Sequence, residues 1–187
     1  MVGSNKFPVL PSIFCGIGII ILLTLCAWQV QRLQWKITLQ AELDKAYAIT
    51  SQNMPRLTED DFRNADKNRL IRGHLPLHIE LQNHVIMQGR LVDGKPMVAV
   101  VAVGTSKDLT KSVMVELGCA DPAKINPQRW HAPITLDARG WLRSPQWSYF
   151  TPENNAKRKQ WWRMDYTDFQ NYFRKPFYGS YLALENT

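Results

Sequence analysis

Residues 7–31 carry no charged side chain, and positions 13–28 are almost wholly apolar. Ile13, Phe14, Ile17, Ile19, Ile20, Ile21, Leu22, Leu23 and Leu25 leave no polar face, so the run has neither the stripe of a surface helix nor the alternation of a strand. A bilayer core of about 30 Å needs about 20 helical residues, which Val9 to Trp28 supplies. Backbone polar groups in lipid are satisfied within one segment only by a helix. The pattern predicts one membrane span at Val9 to Val30. A cleaved signal peptide has a shorter apolar region and small residues at the cleavage site, which Trp28-Gln29-Val30-Gln31 does not offer. Leu23-Thr24-Leu25-Cys26 distantly resembles a lipoprotein box, but Leu25 is too bulky before the cysteine.

The pattern then changes period. Gln29 to Ala48 contains no Gly or Pro, and Leu33, Ile37, Leu43 and Tyr47 recur at helical spacing among Arg32, Lys36, Gln40, Glu42 and Asp44. The helix is expected to continue out of the bilayer as an amphipathic segment. Ser51 to Asp66, with Pro55 and the acidic run Glu59-Asp60-Asp61, reads as a solvated linker. Beyond it the chain is β-rich. Strand candidates are Asn68–Leu75, the alternating His78–Met87, the continuously apolar Met97–Val103, Ser112–Leu117, Ile134–Leu142 interrupted by Gly140, and Tyr178–Leu184. Asp93-Gly94 between apolar runs is a hairpin signal. Asp121–Trp130 reads as a loop or short helix. Asp165–Phe173 reads as a short helix with Asp165 or Thr167 as N-cap. The expected class is α+β: an N-terminal transmembrane helix extended into an amphipathic segment, then a mostly antiparallel β domain with one or two short helices. The expected divisions are residues 1–30, 31–66 and 67–187.

Composition adds little chemistry to this outline. About 150 residues after the span suffice for one core. The formal charge of +7 is scattered except at Lys157-Arg158-Lys159-Gln160-Trp161-Trp162-Arg163. Adjacent tryptophans among cations can stack on bases, meet a membrane interface, or send one ring into the core. Tethering to a bilayer favours the last two, with anionic lipid headgroups as a partner and no nucleic acid. Cys15 and Cys26 lie in the span and Cys119 stands alone after it, so no disulfide forms within the β domain. His74 and His78 flank Pro76 in a strand, and His84 and His131 lack a nearby acid or cysteine at ligand spacing. No nucleophile elbow or phosphate-binding glycine loop occurs. No catalytic, cofactor-binding or metal residue is assigned, and the reading is of a protein that is not an enzyme.

The junction after the span is denser. Trp28, Gln29, Arg32, Trp35 and Lys36 place aromatic rings in the headgroup zone, and helical spacing puts Trp28, Arg32 and Trp35 near one face. Such a face serves as an interfacial anchor or docks on another membrane protein. This junction resembles the Surfeit locus protein 1 family. Later segments resemble it in the same order. They are Arg72-Gly73, Gly89-Arg90-Leu91-Val92-Asp93-Gly94-Lys95-Pro96, Val113-Met114-Val115-Glu116-Leu117-Gly118-Cys119, Gly140-Trp141-Leu142-Arg143-Ser144-Pro145, Phe150-Thr151-Pro152-Glu153-Asn154-Asn155, and Trp162 with Asp165. Together they cover nearly the whole chain, the junction and the Gly140–Pro145 segment being the most specific.

The resemblance implies a membrane-anchored, chaperone-like assembly factor of cytochrome c oxidase, acting on its haem-containing subunit I or an assembly intermediate. It implies an inner membrane, bacterial or mitochondrial, with the β domain on the periplasmic or intermembrane-space side. Two departures stand out. Glu116-Leu117-Gly118-Cys119 lacks the family's Asn-Arg before the glycine and Trp after it. The family also ends in a second membrane helix preceded by a histidine that is a candidate ligand of haem a. The present sequence reads as a short form without them, so haem a is implied by the family alone and no ligand is carried over. Charge bias opposes the implied orientation. Lys6 precedes the span and Arg32, Lys36 and Lys45 follow it, which by the positive-inside rule puts the domain in the cytoplasm. A functional need for Arg32 and Lys36 outweighs that bias, and the resemblance is followed. The alternative is a single-span protein whose β domain binds a small apolar ligand or lipid.

Overall fold

The computed structural model describes residues 9–50, 53–65, 71–126, 130 and 132–185. The chain forms two compact units, Met1–Lys45 and Ala46–Thr187. The first is helix α1, Val9–Tyr47, of 39 residues, about 58 Å at 1.5 Å per residue. It is long and apolar enough to cross a membrane, and none of its apolar window is buried. Isoleucine and leucine side chains that no protein surface covers are what lipid takes up. Thr24 and Thr38 turn their hydroxyls back to Ile20 O and Gln34 O, so neither costs an unpaired polar group.

The second unit is a closed barrel in the order β1-β2-β3-β5-β4. Its strands are β1 (Ile71–Val92), β2 (Lys95–Thr105), β3 (Ser112–Ala120), β4 (Ile134–Arg143) and β5 (Phe177–Leu184), with α2 (Glu59–Arg63) before β1 and α3 (Tyr166–Phe173) before β5. All pairings are antiparallel except β3 with β5, which is parallel and closes the barrel. The α+β class, the apolar helix and the mostly antiparallel sheet are therefore as expected.

Asp93 and Gly94 have φ of 51° and 73°. Positive φ at both central residues of a two-residue loop is the type I′ geometry that matches strand twist. In β1 the buried residues Gly73, Leu75, Leu77 and Ile79 alternate with outward His74, Pro76 and His78, the period-2 pattern of a one-sided strand. In β2 every residue from Val98 to Gly104 is buried. Both faces of that strand are covered, which is why its sequence does not alternate.

All five strands, through residues such as Leu75, Ala102, Val115, Ala138 and Leu182, feed one core cluster that fills the barrel. A second lies on the opposite face of β2 and β3, under Trp161, Met164 and Phe169. Burying each large apolar side chain contributes about 1.5–3 kcal/mol.

Several expectations need correction. The segment read as a linker belongs partly to the barrel. Met54, Leu57 and Phe62 are buried. His74 N donates to Pro55 O and Leu57 N to His74 O, at 3.0 and 2.8 Å, so residues 54–57 cover an edge of β1. The acidic run is the first turn of α2, where Asp61 closes a capping box on Thr58. The first two strand candidates are one strand; its proposed beginning, Asn68–Leu70, lies outside the described residues. Gly140 does not interrupt β4. It stays in the ladder opposite Gly73 and Leu184 and lets β5 come close, since a Cβ there would collide with the Ala183 carbonyl. Of the loop before β4, Pro122–Lys124 forms a 3-10 turn; residues 127–129 and His131 lie outside the described residues.

Candidate functional site

The residues singled out from sequence fall into three places. In α1, Trp28, Arg32, Trp35 and Lys36 are all exposed. Arg32 lies over the Trp28 ring, 5.3 Å from its centroid, close enough for a cation–π contact. Trp28 and Trp35 are 50% and 59% exposed, so about half of each ring is open to lipid or to another protein. Gln29 is exposed as well.

A second group lies where the chain enters the barrel unit. Arg72 reaches Glu185 with two parallel bonds, Nε to Oε1 at 2.5 Å and a terminal nitrogen to Oε2 at 2.8 Å. It also donates to Ile49 O and lies over the Trp141 ring at 5.7 Å. Tyr47 packs on the same Trp141 ring, 5.2 Å between centroids. The hydrogen bond from Arg72 holds Glu185 below the usual carboxylate range, against burial that raises it. One guanidinium thus ties the entering segment, β1 and the end of β5 together. Gly73 is the next residue, and Leu57 occupies the space a Cβ would take, 2.5 Å away. Leu142 is fully buried in the barrel core.

The third group is a cleft of about 230 Å³ on the outside of the barrel. Its floor is Met87 to Arg90. Pro145, Trp147 and Ser148 form one wall, and Trp162, Met164 and Tyr181 the other. A bulge in β1 between Met87 and Arg90 makes this possible. The extra residue turns Gln88 N toward Trp161 O, at 2.7 Å, and Gly89 runs beneath the Trp162 ring. Arg90 pairs with Glu116 at 2.8 Å, while its buried Nε has no hydrogen-bond partner among the described residues. Of the aromatic pair read from sequence, Trp161 is core, 1% exposed, and Trp162 lines the cleft.

Asn154 holds this wall. Its Oδ1 accepts from Trp162 N and Arg163 N at 2.7 and 2.9 Å. Its amide donates to Arg163 O and to Asp168. Asp165 is the N-cap of α3, accepting from Thr167 N at 2.8 Å. Gly94 is in the hairpin turn and Gly118 in a bulge of β3, at φ 138°. Arg143 is exposed at the end of β4. Pro145 and Trp162 therefore share a cleft, Gly73 and Gly140 face each other in the ladder, and Gly94, Gly118 and Asp165 serve the fold at separate points. Sequence reasoning did not single out Met87, Glu185 or Tyr181, and it placed Gly89 and Arg90 only within a family-like segment. The only local signal was a lone Gly-Arg pair inside an apolar strand, which is how a bulge reads.

The barrel interior is filled by side chains, so this cleft lies outside it. His74 bonds Asp137, His78 bonds Thr135 and His84 bonds Leu81 O, and none of the three lines the cleft. Among the described residues no three His, Cys, Asp or Glu side chains are grouped to hold a metal ion. The arrangement offers surfaces for binding, aromatic and cationic in α1 and aromatic with one arginine in the cleft. Neither curated proteins nor solved structures give a match to this chain. Residues 17–184, from within the apolar helix to the last strand, match the SURF1 family, and the chain belongs to it.

Proposed function

We propose that the protein is a membrane-anchored assembly factor of cytochrome c oxidase, binding its haem-containing membrane subunit, subunit I, or an intermediate that carries it. The observation that supports this is the single family match, which runs through the apolar helix, the Trp28–Lys36 junction and the whole barrel. The protein would work by docking rather than by catalysis. Its surfaces are aromatic rings, arginines and backbone turns, chemistry suited to recognition. The helix would pack beside the oxidase subunit, and the barrel would lie on the periplasmic or intermembrane-space side of an inner membrane.

Deleting the gene and measuring oxidase activity and haem a content tests the role. Both should fall; normal levels of both overturn it. A reporter fused after Thr187 tests the side of the membrane, and a cytoplasmic readout overturns the stated orientation.

A further inference from the structure

The tryptophans of the basic stretch do not supply the most exposed aromatic surface of the barrel. That surface is the loop before it. Tyr149 is 93% and Phe150 89% exposed, with Trp147 beside them at 43%. The Tyr149 and Phe150 rings meet edge to face at 5.7 Å. The loop is built to hold them outward. Thr151 N donates to Ser148 O and Phe150 N to the Ser148 hydroxyl, at 2.9 and 3.3 Å. Arg163 Nε donates to Thr151 O at 3.0 Å. Adjacent apolar rings left in water by a held turn mark an interaction surface.

The neighbouring turn carries charge. Ala156–Arg158 is a 3-10 turn ended by Lys159 at positive φ, closed at its base by the Asn155–Gln160 bridge. Lys157, Arg158 and Lys159 are exposed at its tip. From position 143 to 163 the chain carries five cations, Arg143, Lys157, Arg158, Lys159 and Arg163, against one carboxylate, Glu153.

We propose that the loop Trp147–Phe150 and the turn Lys157–Lys159 form a peripheral contact of the barrel with an anionic phospholipid surface. The rings would sit at headgroup depth, where an aromatic side chain has one dry and one wet side. The three cations would meet lipid phosphates. Protein interfaces are depleted in lysine, so a Lys-Arg-Lys tip seven residues along the chain from the bare rings favours lipid over a protein partner. A barrel tethered by α1 meets its own bilayer at high effective concentration, which makes a weak contact sufficient. The inference rests on α1 as a membrane anchor and not on the oxidase role.

Hydrogen exchange of segment 145–151 tests it, using the full chain in nanodiscs of phosphatidylcholine with and without phosphatidylglycerol. The segment should exchange more slowly in the phosphatidylglycerol discs, and added salt should remove the difference. Neutralising Lys157→Gln, Arg158→Gln and Lys159→Gln should weaken the contact by roughly fivefold per charge. Tyr149→Ser with Phe150→Ser should abolish the protection. These side chains are exposed, so the variants should keep the fold, and unchanged exchange in β2 confirms that. Equal exchange in both lipids overturns the proposal. Protection that appears only when oxidase is added overturns it too and assigns the loop to a protein. Because the discs contain no oxidase, failure here is separate from failure of the assembly role, which the gene deletion reads.

Discussion

At Gly140 the space for a side chain is taken by backbone. A Cβ would meet the Ala183 carbonyl and come within 3.0 Å of Leu184 Cα. Strand β5 cannot retreat without breaking its antiparallel pairing with β4. Gly140→Ala should therefore destabilise the barrel by about 3 kcal/mol, the upper end of overpacking costs. Gly179 has nothing within 4 Å of the same position, and Gly179→Ala should leave the urea midpoint nearly unchanged. Equal effects in the two variants would reject the close-approach reading. Asn154 acts through hydrogen bonds instead. Asn154→Ala strips the acceptor from two half-buried backbone N–H groups, of Trp162 and Arg163, and should cost about 1 kcal/mol, the lower end for an orphaned donor. The loss should appear in urea unfolding.

At the scale of elements, α2 and the residues before it close one end of the core. Phe62 is 2% exposed and packs on Tyr178, 5.5 Å between ring centroids. The buried Ser180 hydroxyl donates to Phe62 O at 3.0 Å. Phe62→Ala should cost about 3–5 kcal/mol and speed amide exchange in residues 71–77, whose edge the 54–57 segment covers. Protection there that survives the substitution would show that the cover holds without its aromatic plug. Acid stability belongs to the same scale. The Thr110 hydroxyl, then Arg63 and Tyr178, hold Glu59 down to about 2 from an ordinary 4.5. Burial raises Glu80, but bonds from Lys175 and Asn83 outweigh it and hold it low. A carboxylate depressed in the folded state contributes stability above its unfolded pKa and loses it as pH falls toward the folded one. The urea midpoint should be flat above about pH 4.5 and decline from there toward about pH 2, with a shallower decline in Glu59→Gln. The elements differ in how far the sequence announces them. The Asp93-Gly94 hairpin and the Asp165 cap are local chemistry, so they were legible. The edge cover at 54–57, the uninterrupted passage of β4 through Gly140 and the choice of Trp161 over Trp162 for the core depend on partners far along the chain. The cleft was legible only in part, because Gly89, Arg90, Pro145 and Trp162 belong to family-like segments while the bulge that brings them together depends on strand register.

At the scale of the whole molecule, α1 is longer than a membrane span requires. About 20 residues suffice to cross a bilayer core, and α1 has 39, so nearly half of the helix is free to contact something other than acyl chains. That outer half begins with Trp28, Arg32 and Trp35, and Arg32 already sits over Trp28 at 5.3 Å. A cation placed on one ring, with a second ring a further turn along, suits lipid headgroups as an interfacial anchor. As a docking face it resembles the arginine and tryptophan clusters that carry binding energy in protein interfaces. The two uses separate experimentally. Arg32→Ala and Trp35→Ala leave the apolar run from Val9 to Leu25 intact, so both variants should still resist carbonate extraction from membranes. If the face docks on the oxidase, both should lose most of the oxidase subunit recovered with the protein in mild detergent, by about tenfold for a contact worth about 1.4 kcal/mol. Full recovery in both variants would reduce the junction to an interfacial anchor. Loss of membrane insertion along with association would mean that Trp35 is needed to seat the helix, and the docking face would then have to lie on the barrel.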